Sequence, residues 1–180
     1  MTNVLVGGAS LRTPMSWQDF CALGEVKHHE HYDGMCVVNP PTIRQAAAAD
    51  ELARRLHAVC PPTHRVVTGA GWQTERPELF VPDVMVFERS SPDSDVLRSP
   101  PPLLVVEILS PSTRGEGRGS KREAYGRAGA GWYWIVDLGT PELLVLRNEG
   151  GLMVSDSALR SAGTTSGPLA VQLDPASLGA

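Results

Sequence analysis

The chain has 180 residues, 42% hydrophobic and 20% charged, which predicts one globular domain over residues 1–180 with enough apolar content for a substantial core. A formal net charge of -4 excludes a protein that coats nucleic acid through a broad cationic surface, but not an enzyme whose basic groups gather at one site. No stretch approaches a membrane span and no basic start precedes an apolar block, so a cytoplasmic protein is expected.

The first predicted element is a short helix in "SWQDFCALGEV" (16–26), with Ser16 as N-cap, Asp19 three residues on, and Phe20 and Leu23 at helical spacing. "HHEHYDGMCVVN" (28–39) follows, where Asp33-Gly34 ahead of "MCVV" predicts a hairpin. The "HHEH" run invites a transition-metal reading. Successive strand residues point in opposite directions, however, which favours an exposed polar edge. "IRQAAAADELARRLHAV" (43–59) is rich in helix formers and places Ala48, Leu52, Leu56 and Val59 on one face, with Pro61-Pro62 as its stop.

Strands are then expected at "HRVVTG" (64–69), "ELFVPDVMVF" (78–87) and "PPLLVVEILS" (101–110), forming the centre of the sheet. "STRGEGRG" (112–119) reads as a mobile polar loop leading into a second helix, "SKREAYGRAGAG" (120–131). "WYWIVDL" (132–138) and "ELLVLR" (142–147) form a further hairpin with apolar area to offer a second copy, and a weaker strand lies near "GLMVS" (151–155). Trp132, Tyr133 and Trp134 are expected to pack in that strand. Cys21, Cys36 and Cys60 are odd in number, lack Cys-x-x-Cys spacing, and read as reduced structural thiols.

Two of these apolar runs each carry one carboxylate: Asp83 in "VPDVMVF" and Glu107 in "LLVVEILS". An ionised carboxylate in a buried strand is heavily penalised unless its charge is compensated. If the two strands pair with these faces aligned, a divalent cation bound by Asp83, Glu107 and a backbone carbonyl such as that of Ile108 would remove the penalty. The alternatives are a strand-entry turn for Asp83 after Pro82 and a buried salt bridge to an arginine for Glu107.

The ordered set "VPDVMVF", "VVEILSPSTR", "KREAY" and "WYWIVD" resembles the Uma2 family (DUF820) of restriction-endonuclease-like proteins in the PD-(D/E)xK nuclease superfamily, from about Trp17 to the "VQLDP" near the end. The resemblance implies an α/β (α+β) fold: a restriction-endonuclease-like core with a central mixed β-sheet flanked by helices, preceded by a helix and hairpin. It also implies Asp83 and Glu107 as metal ligands with a catalytic lysine. Leu109 stands where the superfamily places that lysine, and the Uma2-like pattern takes it from the following helix, at Lys121. The chain contains only two lysines, Lys27 and Lys121, against fourteen arginines, which fits a chemical role for Lys121. A solvated residue in the first turn of its helix is the competing reading.

Glu30 matches the glutamate opening the family's hairpin motif and is a further candidate metal ligand. Arg44 stands where many relatives carry a histidine before Gln45, so no acid-base role is carried over to it. Arg44 is instead grouped with Arg114, Arg118 and Arg122, whose spacing by four reads as a basic patch for phosphate contact or as a solvated loop. The expected function is a Mg²⁺-dependent endonuclease, with Mn²⁺ as a substitute, hydrolysing phosphodiester bonds in DNA and acting as a homodimer. Two alternatives stay open: a catalytically silent module of the same fold that binds nucleic acid or a protein partner, and a metal hydrolase of small phosphoesters.

Overall fold

The computed structural model describes residues 11–24, 28–91, 96–109 and 114–179, with the side chains of Arg114 and Glu116 outside that description. The chain begins with β1 (Leu11–Pro14) and α1 (Trp17–Ala22), and the Ser16 hydroxyl accepts from the Asp19 N–H at 3.1 Å, the cap expected from sequence. The hairpin β2 (His29–Tyr32) and β3 (Met35–Val38) turns at Asp33 and Gly34, with φ of 51° and 70°, the left-handed pair that this two-residue turn requires.

The helix α2 (Ile43–Val59) opens with a capping box between Thr42 and Gln45. Ala48, Leu52 and Leu56 are buried as the pattern predicts, whereas Val59, just ahead of the Pro61-Pro62 stop, is 42% exposed.

The strands that follow are β4 (His64–Thr68), β5 (Gly71–Gln73), β6 (Leu79–Phe80), β7 (Val84–Glu88), β8 (Val96–Leu97) and β9 (Leu104–Leu109). Next come α3 (Arg114–Arg118), α4 (Ser120–Arg127), β10 (Trp132–Asp137), β11 (Glu142–Glu149) and β12 (Leu152–Leu159). The chain closes with β13 (Gly163–Thr164), β14 (Gln172–Leu173) and a 3₁₀ turn (Pro175–Gly179). One mixed sheet runs in the order β12-β11-β10-β9-β7-β4, and a second in the order β1-β3-β2-β6-β5-β8.

The single strand expected over 78–87 is therefore two strands in different sheets. Pro82 has no N–H to donate to a ladder, and the Val81 N–H is taken by the Glu30 carboxylate at 2.8 Å, so pairing stops and the chain crosses between sheets. β9 and β10 are parallel and joined by the α3–α4 crossover, and all six residues of β9 are buried, as a strand covered on both faces must be. One apolar cluster lies between the sheet and α2, around Leu52, Leu56, Val106 and Trp134; the other lies on the opposite face around Trp72, Phe80, Tyr125 and Tyr133.

The polar segment 112–119, expected to be a mobile loop, contains α3, though residues 112 and 113 lie outside the described set. Gly117 explains the tight seat of α3: there is no room for a Cβ against Leu109, and its carbonyl accepts the Tyr133 hydroxyl at 2.8 Å. The hairpin expected to offer apolar area to a second copy is interior instead, with Tyr133, Trp134, Leu143 and Val145 fully buried. β12 extends four residues beyond the strand expected near 151–155, because it pairs with β11 along its whole length. Among the described residues no helix is long and apolar enough to cross a membrane.

Candidate active site

The pairing of β7 with β9 runs from Val86 opposite Leu104 to Val84 opposite Val106, and one more step sets Asp83 against Glu107. Asp83 sits at the entry to β7 rather than within it, where its Oδ2 accepts the Ile108 N–H at 2.6 Å. Above them, the first turn of α4 directs Lys121 inward, and its Nζ lies 2.9 Å from Glu107 Oε1 and 2.9 Å from Glu30 Oε2. Lys121 is only 5% exposed, which excludes the solvated reading of this residue.

Two residues not singled out by sequence complete the arrangement. Tyr125 lies one turn after Lys121 on the same face of α4 and donates to Glu107 Oε1 at 2.5 Å. Gln45 accepts the Thr42 N–H at 3.0 Å as part of the α2 cap while its Nε2 donates to the Ile108 carbonyl at 2.7 Å, so one amide both starts a helix and holds the β9 backbone. The i, i+4 spacing of Lys121 and Tyr125 was a usable signal; the second role of Gln45 was not, since Thr-x-x-Gln reads as a cap alone.

Three carboxylates thus surround one ammonium. Burial and the neighbouring Glu107 charge push Asp83 up to about 7, against the Ile108 N–H and Lys121, which act the other way. Burial likewise raises Glu30 beyond what Lys121 restores. Burial works against the charge on Lys121, but Glu107 and Glu30 outweigh it and hold the ammonium well above its ordinary range. Tyr125 is raised by burial and by Glu107, which keeps its phenol a donor.

The cluster carries more negative than positive charge, and Asp83 Oδ1 and Glu107 Oε2 receive no hydrogen bond from any described residue. Hard oxygen donors with uncompensated charge fit a divalent cation such as Mg²⁺. Both oxygens of Glu30 are engaged by Val81 and Lys121, and the Ile108 carbonyl already accepts from Gln45, so Glu30 is suited to holding the lysine and Asp83 and Glu107 are the side chains with oxygens left for a cation. Among the described residues no group of three His, Cys, Asp or Glu side chains forms a metal cage.

The "HHEH" run is not an exposed edge, because β2 lies between β3 and β6 and buries Glu30 and His31. The His31 ring nitrogens lie 2.9 Å from the carbonyls of Pro77 and Met15. Among the described residues, Arg44, Arg118 and Arg122 do not form one patch. Arg118 Nη2 reaches Asp137 at 3.3 Å and Glu142 at 3.2 Å, and Arg122 donates to the Met153 carbonyl from Nε at 3.0 Å and Nη2 at 2.6 Å. Arg44 ties the Gly179 and Leu138 carbonyls together at 2.9 and 3.1 Å, and the side chain of Arg114 lies outside the described residues. The glycines at 115, 117 and 119 let the chain turn between α3 and α4, which separates the guanidiniums that their spacing would align.

A mixed sheet with paired carboxylates at adjacent strands and a lysine from the crossover helix defines a restriction-endonuclease-like fold. The profile of the Uma2 family, described as "Putative restriction endonuclease", matches residues 17–176, and the chain belongs to that family. Among solved structures, it is similar to that of "a putative nuclease belonging to DUF820" from Anabaena variabilis, with a TM-score of 0.76 and 19% identity over 92% of this chain and 97% of that one. No curated protein matches the chain.

Proposed function

We propose that the chain is a metal-dependent endonuclease that hydrolyses phosphodiester bonds in nucleic acid, most of all DNA. The observation that carries this reading is the convergence of Asp83, Glu107 and Lys121 from three separate elements on one point, with two carboxylate oxygens left for a cation. The family description and the nuclease class given to the similar structure support the same kind of reaction.

Asp83 and Glu107, with the second lone pair of the Ile108 carbonyl beside its bond from Gln45, would hold Mg²⁺, or Mn²⁺ in its place. When bound, the cation supplies Lewis-acid polarisation of the scissile phosphate and lowers the pKa of an attacking water. The chain's own residues set the geometry around it. Tyr125 and Lys121 both bond Glu107 Oε1, which leaves Oε2 without a hydrogen bond from a described residue. The Ile108 N–H fixes Asp83 Oδ2 and leaves Oδ1 available.

Lys121, held cationic by its two carboxylates, is an electrostatic stabiliser of charge developing on phosphate oxygens and not a proton acceptor. Glu30 is a positioning residue, anchored by the Val81 N–H and sharing the Lys121 ammonium with Glu107.

Cleavage of both strands of a duplex calls for two such sites, which a symmetric pair of chains would supply. The unpaired thiols of Cys21, Cys36 and Cys60 fit a reducing cytoplasm. The test is cleavage of supercoiled plasmid, linear duplex, single-stranded DNA and RNA with Mg²⁺ or Mn²⁺, by wild type and by identically purified Asp83→Asn. Metal-dependent cleavage that vanishes in the variant is the expected result. Equal activity in both proteins would refute the site, and no cleavage of any substrate would favour the silent binding module.

A further inference from the structure

The Arg44, Arg118 and Arg122 guanidiniums are each engaged by the protein's own oxygens, so a phosphate contact has to be sought elsewhere. A cleft of about 100 Å³ at the far end of α4 is lined by Arg76, Arg98 and Arg127, with Glu75, Ser99 and the edge of Trp72 between them. Arg76 comes from the turn between β5 and β6, Arg98 from the segment after β8, and Arg127 from the last turn of α4, so three separate elements bring like charges together. Arg76 and Arg98 are exposed and make no ion pair with any described residue; Arg127 reaches Glu78 at 3.5 Å. Three guanidiniums against Glu75 and the Glu78 that pairs with Arg127 leave a local excess of one positive charge on a chain whose net charge is -4.

One lining residue of this cleft is joined to the candidate site through the core. Trp72 stacks on Tyr125 with ring centroids 5.8 Å apart, and the Tyr125 hydroxyl bonds Glu107. Lys121 and Arg127 stand on the same helix six residues apart, about 9 Å along its axis. A nucleic-acid strand carries a phosphate about every 3.4 Å of axial rise, so this axial separation corresponds to two or three phosphate positions.

We propose that the cleft formed by Arg76, Arg98 and Arg127 is a phosphate-binding subsite that takes a backbone phosphate of the strand being cut. Planar guanidinium forks match phosphate oxygens in pairs, and a concave setting holds them at a depth that a flat surface does not. The identity of the ligand rests on the nuclease reading above; the anion chemistry of the cleft does not.

The test is binding of a fluorescein-labelled oligonucleotide by anisotropy, without divalent metal and across a salt series, beside a titration with inorganic phosphate followed by tryptophan fluorescence. Arg76→Ala/Arg98→Ala is compared with Arg76→Lys/Arg98→Lys and with a control of equal charge change at two distant exposed positions, Arg54→Ala/Arg147→Ala. In the alanine pair the slope of log affinity against log salt is expected to fall by about 1.5, with retention in the lysine pair and the control. An unchanged slope in the alanine pair, or an equal fall in the control, would overturn the proposal while leaving the nuclease reading intact. Phosphate binding that the alanine pair abolishes, with no oligonucleotide binding by wild type, would support the anion site and refute the strand as its source.

Discussion

Replacing Asp83 by asparagine should make the metal-free protein more stable at neutral and alkaline pH while removing cleavage. Asp83 is partly buried opposite Glu107 with its proton affinity raised to about 7, against 3.8 for the free side chain. The folded state therefore binds the Asp83 proton more tightly than the unfolded state does. The wild type meets no penalty below about pH 4, loses stability as pH rises from about 4 to 7, and carries the full penalty above about 7. At ~1.4 kcal/mol for each pKa unit the ceiling is ~4 kcal/mol, and proton sharing with Glu30 and Lys121 brings the expected gain to ~2–4 kcal/mol.

Asparagine keeps an oxygen to accept the Ile108 N–H, so the local backbone has no reason to move. Thermal or urea unfolding of both proteins in a chelator, from pH 5 to 8.5, measures the difference. The variant should pull ahead as pH rises, by about 5–15 °C in Tm at the plateau. A difference that stays flat with pH, or a variant less stable at pH 8, would refute the claim that Asp83 is an uncompensated charge.

In wild type, Mg²⁺ at a hundred times its dissociation constant should raise stability by ~2.7 kcal/mol, and this increment should disappear in Asp83→Asn; a Tm unmoved by Mg²⁺ in wild type would contradict the cation site. Lys121→Met should destabilise by ~3–5 kcal/mol in denaturant unfolding, because Glu30 and Glu107 are left buried without their cation, so it reports on folding before it reports on catalysis. Tyr125→Phe keeps its ring against Phe80 and Trp72 and loses only the bond to Glu107; a stability loss of ~1–2 kcal/mol and a fall in kcat larger than any change in KM are expected from unfolding and initial-rate measurements. Gly117→Ala should cost ~1–3 kcal/mol, read from the urea midpoint, since its Cβ forces the buried Leu109 side chain to shift.

The candidate site separates functional from structural demands in an instructive way. Lys121 contributes to stability because two carboxylates need it, whereas Asp83 opposes stability because it is buried and faces the like charge of Glu107. The same charge excess that burdens the fold is what makes a cation bind there. His31 follows Glu30 on β2 with its ring between the carbonyls of Met15 and Pro77, so whichever ring nitrogen carries the proton donates to one of the segments flanking the strand that holds Lys121.

Features decided within a few residues were determined by the sequence alone. The Ser16 and Thr42 caps, the Asp33-Gly34 turn and the buried run around Glu107 depend on local backbone preference and hydrophobic period, and they stand where the residues imply. Only the tertiary structure decided the division of 78–87 into two strands, because an apolar run reads alike whether or not its neighbours continue the ladder. The same holds for charge. That Lys121 is shared by Glu30 and Glu107, that Gln45 reaches the Ile108 carbonyl, and that Arg118, Arg122 and Arg44 face three different sets of acceptors are contacts between distant segments, and side-chain spacing along the chain carries no information about which segment lies across from it.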